Sequence, residues 1–277
     1  MLADIQAARD ERNLRVDQVG ITGIRYPIAV ADREHGKQIT VAEVTMSVDL
    51  PPEVKGAHLS RFVEVLHDTA GGITPQAIPG ILDALRARLN ASSAQMEVSF
   101  PFFLHRAAPV TGAAALMEYQ SWLAGNATGA ETHVMLGVRA PVTSVCPCSK
   151  AISDYGAHNQ RATITICVRP HDNEGLPTQI WAEDLIEVAE AASSCPVFPL
   201  LKRPDERHVT MRAHDHPVFV EDMARTAAEV LGHDARIDWF SVEAASDESI
   251  HNHGAFASIQ SFSPAPDWPL MVMRGLR

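Results

Sequence analysis

An α+β fold made of two similar halves is what this sequence predicts, each half an antiparallel sheet carrying two helices on one face. Three observations lead there. Runs of strand length fall in pairs, and the first pair of each half is followed by stretches whose apolar residues recur every three or four positions. The order strand-strand-helix-helix-strand-strand occurs twice along 277 residues, with no Ser/Gly linker or low-complexity tract between. Hydrophobic residues make up 46% of the chain and charged ones 21%, a globular composition that supports a packed core.

The first half opens with two strand candidates, 21–30 (ITGIRYPIAV) and 38–50 (QITVAEVTMSVDL). In 58–70, Phe62, Val65, Leu66 and Thr69 carry helical spacing, and in 78–90 Ile78, Ile81, Leu82, Leu85 and Leu89 do the same. Residues 95–104 (QMEVSFPFFL) and 113–122 (AAALMEYQSW) complete the half as strands. The second half repeats the order. Strand candidates are 131–139 and 161–169, helix candidates 182–192 and 218–231, and closing strands 236–243 and 255–262. The units are expected to span residues 21–125 and 126–265. The halves share little sequence, so the duplication is architectural. Four-stranded sheets have open edges that must be covered, and closure edge to edge into barrels through oligomerisation would do so.

A formal net charge of −11 argues against broad binding to nucleic acid or a membrane surface, but leaves room for a phosphorylated substrate in a local basic pocket. No apolar run reaches the ~18 residues needed to span a bilayer. The mixed-charge N-terminus lacks the apolar core of a signal peptide, so the cytoplasm is the expected location.

The four cysteines are Cys146, Cys148, Cys167 and Cys195. Cys146 and Cys148 are too close for an ordinary structural disulfide; clustered thiols in a reducing compartment point to metal or catalysis. Cys167, in ATITICV, reads as a small buried hydrophobe. The segment 143–161, TSVCPCSKAISDYGAHNQR, joins two strands by a connection of about 20 residues, a length usually kept for function. Cys146 and His158 within it suit a first-row divalent ion. A catalytic site needs a third donor, and candidates follow in LLKRPDERHV (Asp205, Glu206, His208) and ESIHNHGAFA (Glu248, His251, His253). Each has a bland alternative. LLKRPDE also reads as a polar turn, His251 and His253 as a solvated strand face, and His214 and His216 as part of a polar loop.

Four segments together carry a resemblance: SVDLPPEVKGAHLSRF (47–62), TSVCPCSKAISDYGAHNQR, LLKRPDE and ESIHNHGAFAS. In these the chain resembles GTP cyclohydrolase IB, a bacterial and archaeal family. The resemblance implies a bimodular tunnelling fold, subunits packed into barrels as a homotetramer, and active sites at subunit interfaces. It implies conversion of GTP and water to formate and 7,8-dihydroneopterin triphosphate, toward tetrahydrofolate, with one divalent ion (Mn, Fe or Zn) per site. Cys146, His158 and Glu206 are then similar to the metal ligands. Cys148 is similar to a thiol near the reacting carbon, and His251 to a catalytic histidine. Glu221 in PVFVEDMAR is similar to the purine-anchoring glutamate, with Asp222 as its rival. Lys55, His58, Arg61, Lys150, Arg161, Lys202 and Arg203 are the cations available for the triphosphate, and Lys55 and Arg61 would reach a neighbour's site. Two other readings remain open here: the related NADPH-dependent nitrile reductase, and a binding module with a closed structural zinc.

Overall fold

The computed structural model describes residue 6 and residues 8–262. The first half is β1 (Val16–Asp32), β2 (Gly36–Leu50), α1 (Ser60–Thr69), α2 (Ile78–Leu89), β3 (Ser93–Ala107) and β4 (Ala114–Thr128). The second begins with β5 (Glu131–Val145), α3 (Pro147–Ile152), β6 (Asn159–Pro170) and a small hairpin, β7 (Asp172–Asn173) with β8 (Leu176–Pro177). It continues through α4 (Ala182–Ala191), β9 (Cys195–Pro196), α5 (Arg203–Asp215), α6 (Val220–Gly232), β10 (Ile237–Ser246) and β11 (Ala255–Gln260).

One antiparallel sheet runs through both halves in the order β1-β2-β3-β4-β5-β6-β10-β11. The halves join where β4 pairs with β5 across a tight turn, Thr128 opposite Glu131. β4 leaves β5 beyond the Gln120–Arg139 pair, and β9 takes up Val142 and Thr143 in its place. The outer edges are β1 and β11.

Alternation fixes which face is covered. Met46, Met96, Val98, Leu123, Leu136, Val138, Ile164, Ile166 and Val242 all point to one face and form one cluster with Phe62, Leu66, Leu82, Leu85, Ile186, Met223 and Leu231 from the helices. Gly125 allows α2 to lie on the sheet, because a Cβ there would fall 2.2 Å from Ile78 Cγ2. On the opposite face Trp122, Met135, Cys167 and Trp239 pack together, and the Trp122 ring lies where a Cβ on Gly137 would be, 2.0 Å from Cε2.

The antiparallel order sorts the connections between two ends of the sheet. At one end lie the β1–β2 and β3–β4 turns, the β5–β6 connection with α3, and the β10–β11 loop. At the other lie residues 51–59 after β2 and the β4–β5 turn. Polar contacts fasten the helices of the second half to turns of the first. Arg33 pairs with Asp184 at 2.8 Å and with Glu187 on α4. Arg106 pairs with Glu190 at 2.9 Å beside the buried Tyr119 hydroxyl, which donates to Glu190. Burial raises the carboxyl of Glu190 and the phenol of Tyr119 above their ordinary ranges.

All eight strands and four helices expected from pattern are present, the strands generally longer than expected. The departure is in the second half, where α3 and α5 join the two expected helices. α5 buries only Asp205 and Ala213, so it has no apolar stripe for periodicity to find. It takes up the polar turn expected at LLKRPDE, and it holds His214 in its last turn with His216 at its C-cap. The last residues of the expected second unit, 263–265, lie outside the described residues.

Candidate active site

Val145 ends β5, and the chain turns at once into α3, with Cys146 as N-cap and Pro147 at the first helical position. The Ser149 amide donates to Cys146 Sγ at 3.4 Å, so the sulfur faces the start of the helix. The chain returns at β6, where the Cys146 amide donates to the His158 carbonyl at 3.1 Å, making these residues neighbours across the connection. Ser149 Oγ accepts from the His158 amide at 3.2 Å and closes the loop.

The imidazole of His158 is held from behind. Its Nδ1 lies 2.9 Å from Gln160 Oε1 and 3.4 Å from Ser249 Oγ, a residue 91 positions away in the β10–β11 loop. Gln160 Nε2 donates to Glu248 Oε1 at 3.2 Å, and Ser246 Oγ donates to the same oxygen at 2.6 Å. The ESIHNH loop is thus docked against the CPCSK loop. His251 and His253 are exposed in it, with rings stacked at 5.2 Å between centroids. Cys148 is exposed on α3.

Glu206 stands in the first turn of α5, one turn before Val209 and two before Ala213, which pack with Val145, Ala157 and Cys195. Its neighbour Asp205 sets the helix in place. Fully buried, Asp205 accepts from the amides of Val110, Thr111 and Lys202, each at 2.9 Å, and from the Thr111 hydroxyl at 2.6 Å. Burial opposes ionisation there, but the Thr111 hydroxyl and these amides outweigh it and hold the carboxyl well below the usual range. Asp205 is therefore the anchor of Glu206.

Lys150 donates from Nζ to the His214 carbonyl at 2.5 Å, tying α3 to the end of α5. Arg161, Lys202 and Arg203 are exposed near the same end of the sheet. Glu221 projects exposed from the first turn of α6, whereas Asp222 accepts from the Phe219 amide at 3.4 Å as a helix cap. Asp222 is thus engaged with its own helix, whereas Glu221 makes no such contact. Lys55, His58 and Arg61 lie at the opposite end of the sheet, and Arg61 donates to the Arg88 carbonyl at 3.0 Å.

The donor chemistry fits a divalent ion at Cys146 and His158: a thiol at a helix N-terminus beside an imidazole whose Nδ1 is already engaged. Among the described residues, no three His, Cys, Asp or Glu side chains converge into a group able to hold an ion, so Glu206 is not gathered with the other two. Burial pushes the Cys167 thiol up to about 12 and raises that of Cys195, leaving both as packing residues. Sequence reasoning passed over Gln160, whose signal was the two-residue spacing from His158, just before β6, that leaves both on one side of the entering chain.

A family model described as type I GTP cyclohydrolase folE2 matches residues 2–257. A relative named GTP cyclohydrolase FolE2 from Magnetococcus marinus is 46% identical over 259 residues, 94% of this chain and 96% of its own length. Another of that name from Methylococcus capsulatus is 48% identical over 257 residues, 93% of this chain and 94% of its own. Among solved structures, the uricase of Arthrobacter globiformis superimposes with a TM-score of 0.52 at 10% identity, covering 92% of this chain and 96% of that one. At that identity the likeness is one of fold alone, the tunnelling fold. Among the described residues, no helix is long and apolar enough to cross a membrane.

Proposed function

Because this chain belongs to the type I GTP cyclohydrolase folE2 family, we propose that it converts GTP and water to formate and 7,8-dihydroneopterin triphosphate, feeding tetrahydrofolate synthesis. The observation that carries the reading is the meeting of the CPCSK and ESIHNH loops at His158.

Cys146 and His158 would hold the divalent ion (Mn, Fe or Zn), with Glu206 as the third donor. When bound, such an ion makes hydroxide available near neutral pH by lowering the pKa of water toward ~7. The reaction adds water at guanine C8, opens the imidazole ring, releases formate, rearranges the ribose and closes the pterin. His251 gives and takes the proton at N7, a role that suits an imidazole because its two ring nitrogens can each donate or accept. Cys148, two residues from Cys146 and open to solvent, faces the reacting carbon. Glu221 accepts from N1–H and the 2-amino group of guanine; adenine would leave its carboxylate unpaired, at about 1–3 kcal/mol or more.

The triphosphate meets Lys150, Arg161 and Lys202 from the same end of the sheet, and Lys55, His58 and Arg61 from a second chain. The sheet supports this division. The first-half cations follow β2 at one end and Cys146 follows β5 at the other, so a neighbour turned end for end brings the two sets together. Closure of the free β1 and β11 edges into barrels, as a homotetramer of two-unit chains in the cytoplasm, belongs to the same reading.

The test is to load the protein with Mn, Fe or Zn, incubate it with GTP, and measure formate together with a fluorescent pterin after oxidation. Both products should form with GTP and neither with ATP. Absence of both from GTP with all three metals would refute the assignment.

A further inference from the structure

We infer that Gln160 and Glu248 are positioning residues that keep the His158 ring in its Nδ1–H form, leaving the Nε2 lone pair as the metal-binding atom. The inference rests on the reading of Cys146 and His158 as metal donors. It follows from which groups can only accept. An ionised carboxylate has no proton to give. Glu248 Oε1 takes the Ser246 hydroxyl at 2.6 Å and faces the Gln160 amide at 3.2 Å, so the amide presents its NH2 to Glu248. The amide oxygen then faces His158 Nδ1, 2.9 Å away. A carbonyl oxygen only accepts, so Nδ1 carries the proton. A neutral imidazole has a single N–H, and Nε2 is left bare. Ser249 Oγ, 3.4 Å from Nδ1, adds a longer acceptor on the same side.

Burial supports the arrangement. Gln160 is 8% exposed and Ser246 4%, so both side chains meet protein groups rather than bulk water. The order of control runs outward: Glu248 sets the amide, the amide sets the ring, and the ring sets which nitrogen is free. Glu248 thereby couples the β10–β11 loop to the donor set without itself being a donor.

The experiment reads the tautomer directly. In metal-free protein carrying 15N-labelled histidine, two-bond correlations to the ring protons distinguish the protonated from the bare nitrogen of His158. The natural protein should show Nδ1 protonated; a proton on Nε2 would overturn the inference without any variant. Glu248→Gln supplies an amide that can donate to Gln160 Oε1, releasing the Gln160 amide to turn, and Gln160→Leu removes both ends at similar volume. Both should shift His158 toward the Nε2–H form and weaken zinc binding about 10- to 100-fold in a chelator competition, with the folded circular dichroism spectrum retained. Unchanged tautomer and zinc affinity in both variants would refute the positioning role. A separate control addresses the underlying reading: if Cys146→Ala and His158→Ala bind zinc as tightly as the natural protein, the metal assignment fails, and this inference with it.

Discussion

Two inactive variants mixed in equal amounts should recover about a quarter of wild-type activity if each site takes its donors from one chain and its first-half cations from another. One variant is Cys146→Ala; the other carries Lys55→Ala and Arg61→Ala. The expectation comes from the strand count between them. Register places the end of β2 level with the start of β5, since Val48 faces Ala94, Ser93 faces Thr128 and Thr128 faces Glu131. Cys146 lies beyond the far end of β5, a strand of 15 residues. At ~3.3 Å per residue that is on the order of 45–50 Å along the sheet, well beyond the reach of a lysine. A working site in the mixture needs its thiol from the second protein and its cations from the first. Random assembly supplies each with probability about one half, hence about one quarter of sites. The two proteins would carry different tags, be unfolded and refolded together, and be assayed for pterin fluorescence after tandem purification. Activity at background in material that demonstrably contains both chains would refute the shared site. Substantial activity in either parent alone would show that the removed residues are not needed.

Other perturbations separate the roles of single residues. Cys146→Ala and His158→Ala should each abolish metal uptake and formate release while leaving the circular dichroism spectrum unchanged; full activity in metal-free Cys146→Ala would refute the donor assignment. Glu221→Gln should raise the dissociation constant for GTP about 5- to 150-fold, the effect of about 1–3 kcal/mol, with metal content unchanged. Calorimetric titration checks this, and unaltered affinity would remove Glu221 from the purine site. Gly137→Ala should lower stability by about 1–3 kcal/mol in urea unfolding, because its Cβ would fall 2.0 Å from the Trp122 ring, and should change tryptophan emission. Asp49 is buried against opposing hydrogen bonds from Ser92 and Ser93, and these hold its carboxyl below the ordinary range. Its contribution to stability is therefore present above the unfolded carboxyl pKa of ~3.9 and lost as pH falls through the lower folded value. Asp49→Asn should be less stable than the natural protein at pH 7, and the difference should narrow below about pH 4.

What the sequence made legible follows from what each element buries. α1, α2, α4 and α6 each lay an apolar face on the sheet and so announce themselves at three- and four-residue spacing. α5 is held instead by its cap: four hydrogen bonds to Asp205, two of them from backbone amides in the turn between β3 and β4. A contact to residues 94 and 95 positions away leaves no local periodic trace. The same holds at the site. Cys146 and His158 were legible because a thiol and an imidazole on one long connection between strands are the donor types a divalent ion takes. Gln160 was silent because an amide is common at surfaces, and its meaning appears only when Glu248 arrives from the other loop.

The exposure of the site bears on the assembly. Ile152 is 86% exposed, Tyr155 fully so and Ile250 66%. All three stand on the two loops that meet at His158. A triphosphate offers nothing to apolar side chains, and no other segment among the described residues covers them. In the proposed assembly a second chain would do both things the isolated one leaves undone: it would shield this rim from solvent, and it would bring cations from an end of the sheet that its own donors never reach. The two needs point to one contact, so substitutions at Ile152 or Tyr155 that weaken assembly should lower activity and oligomer stability together. If Tyr155→Asp leaves both unchanged in size-exclusion and pterin assays, the rim is not where the chains meet.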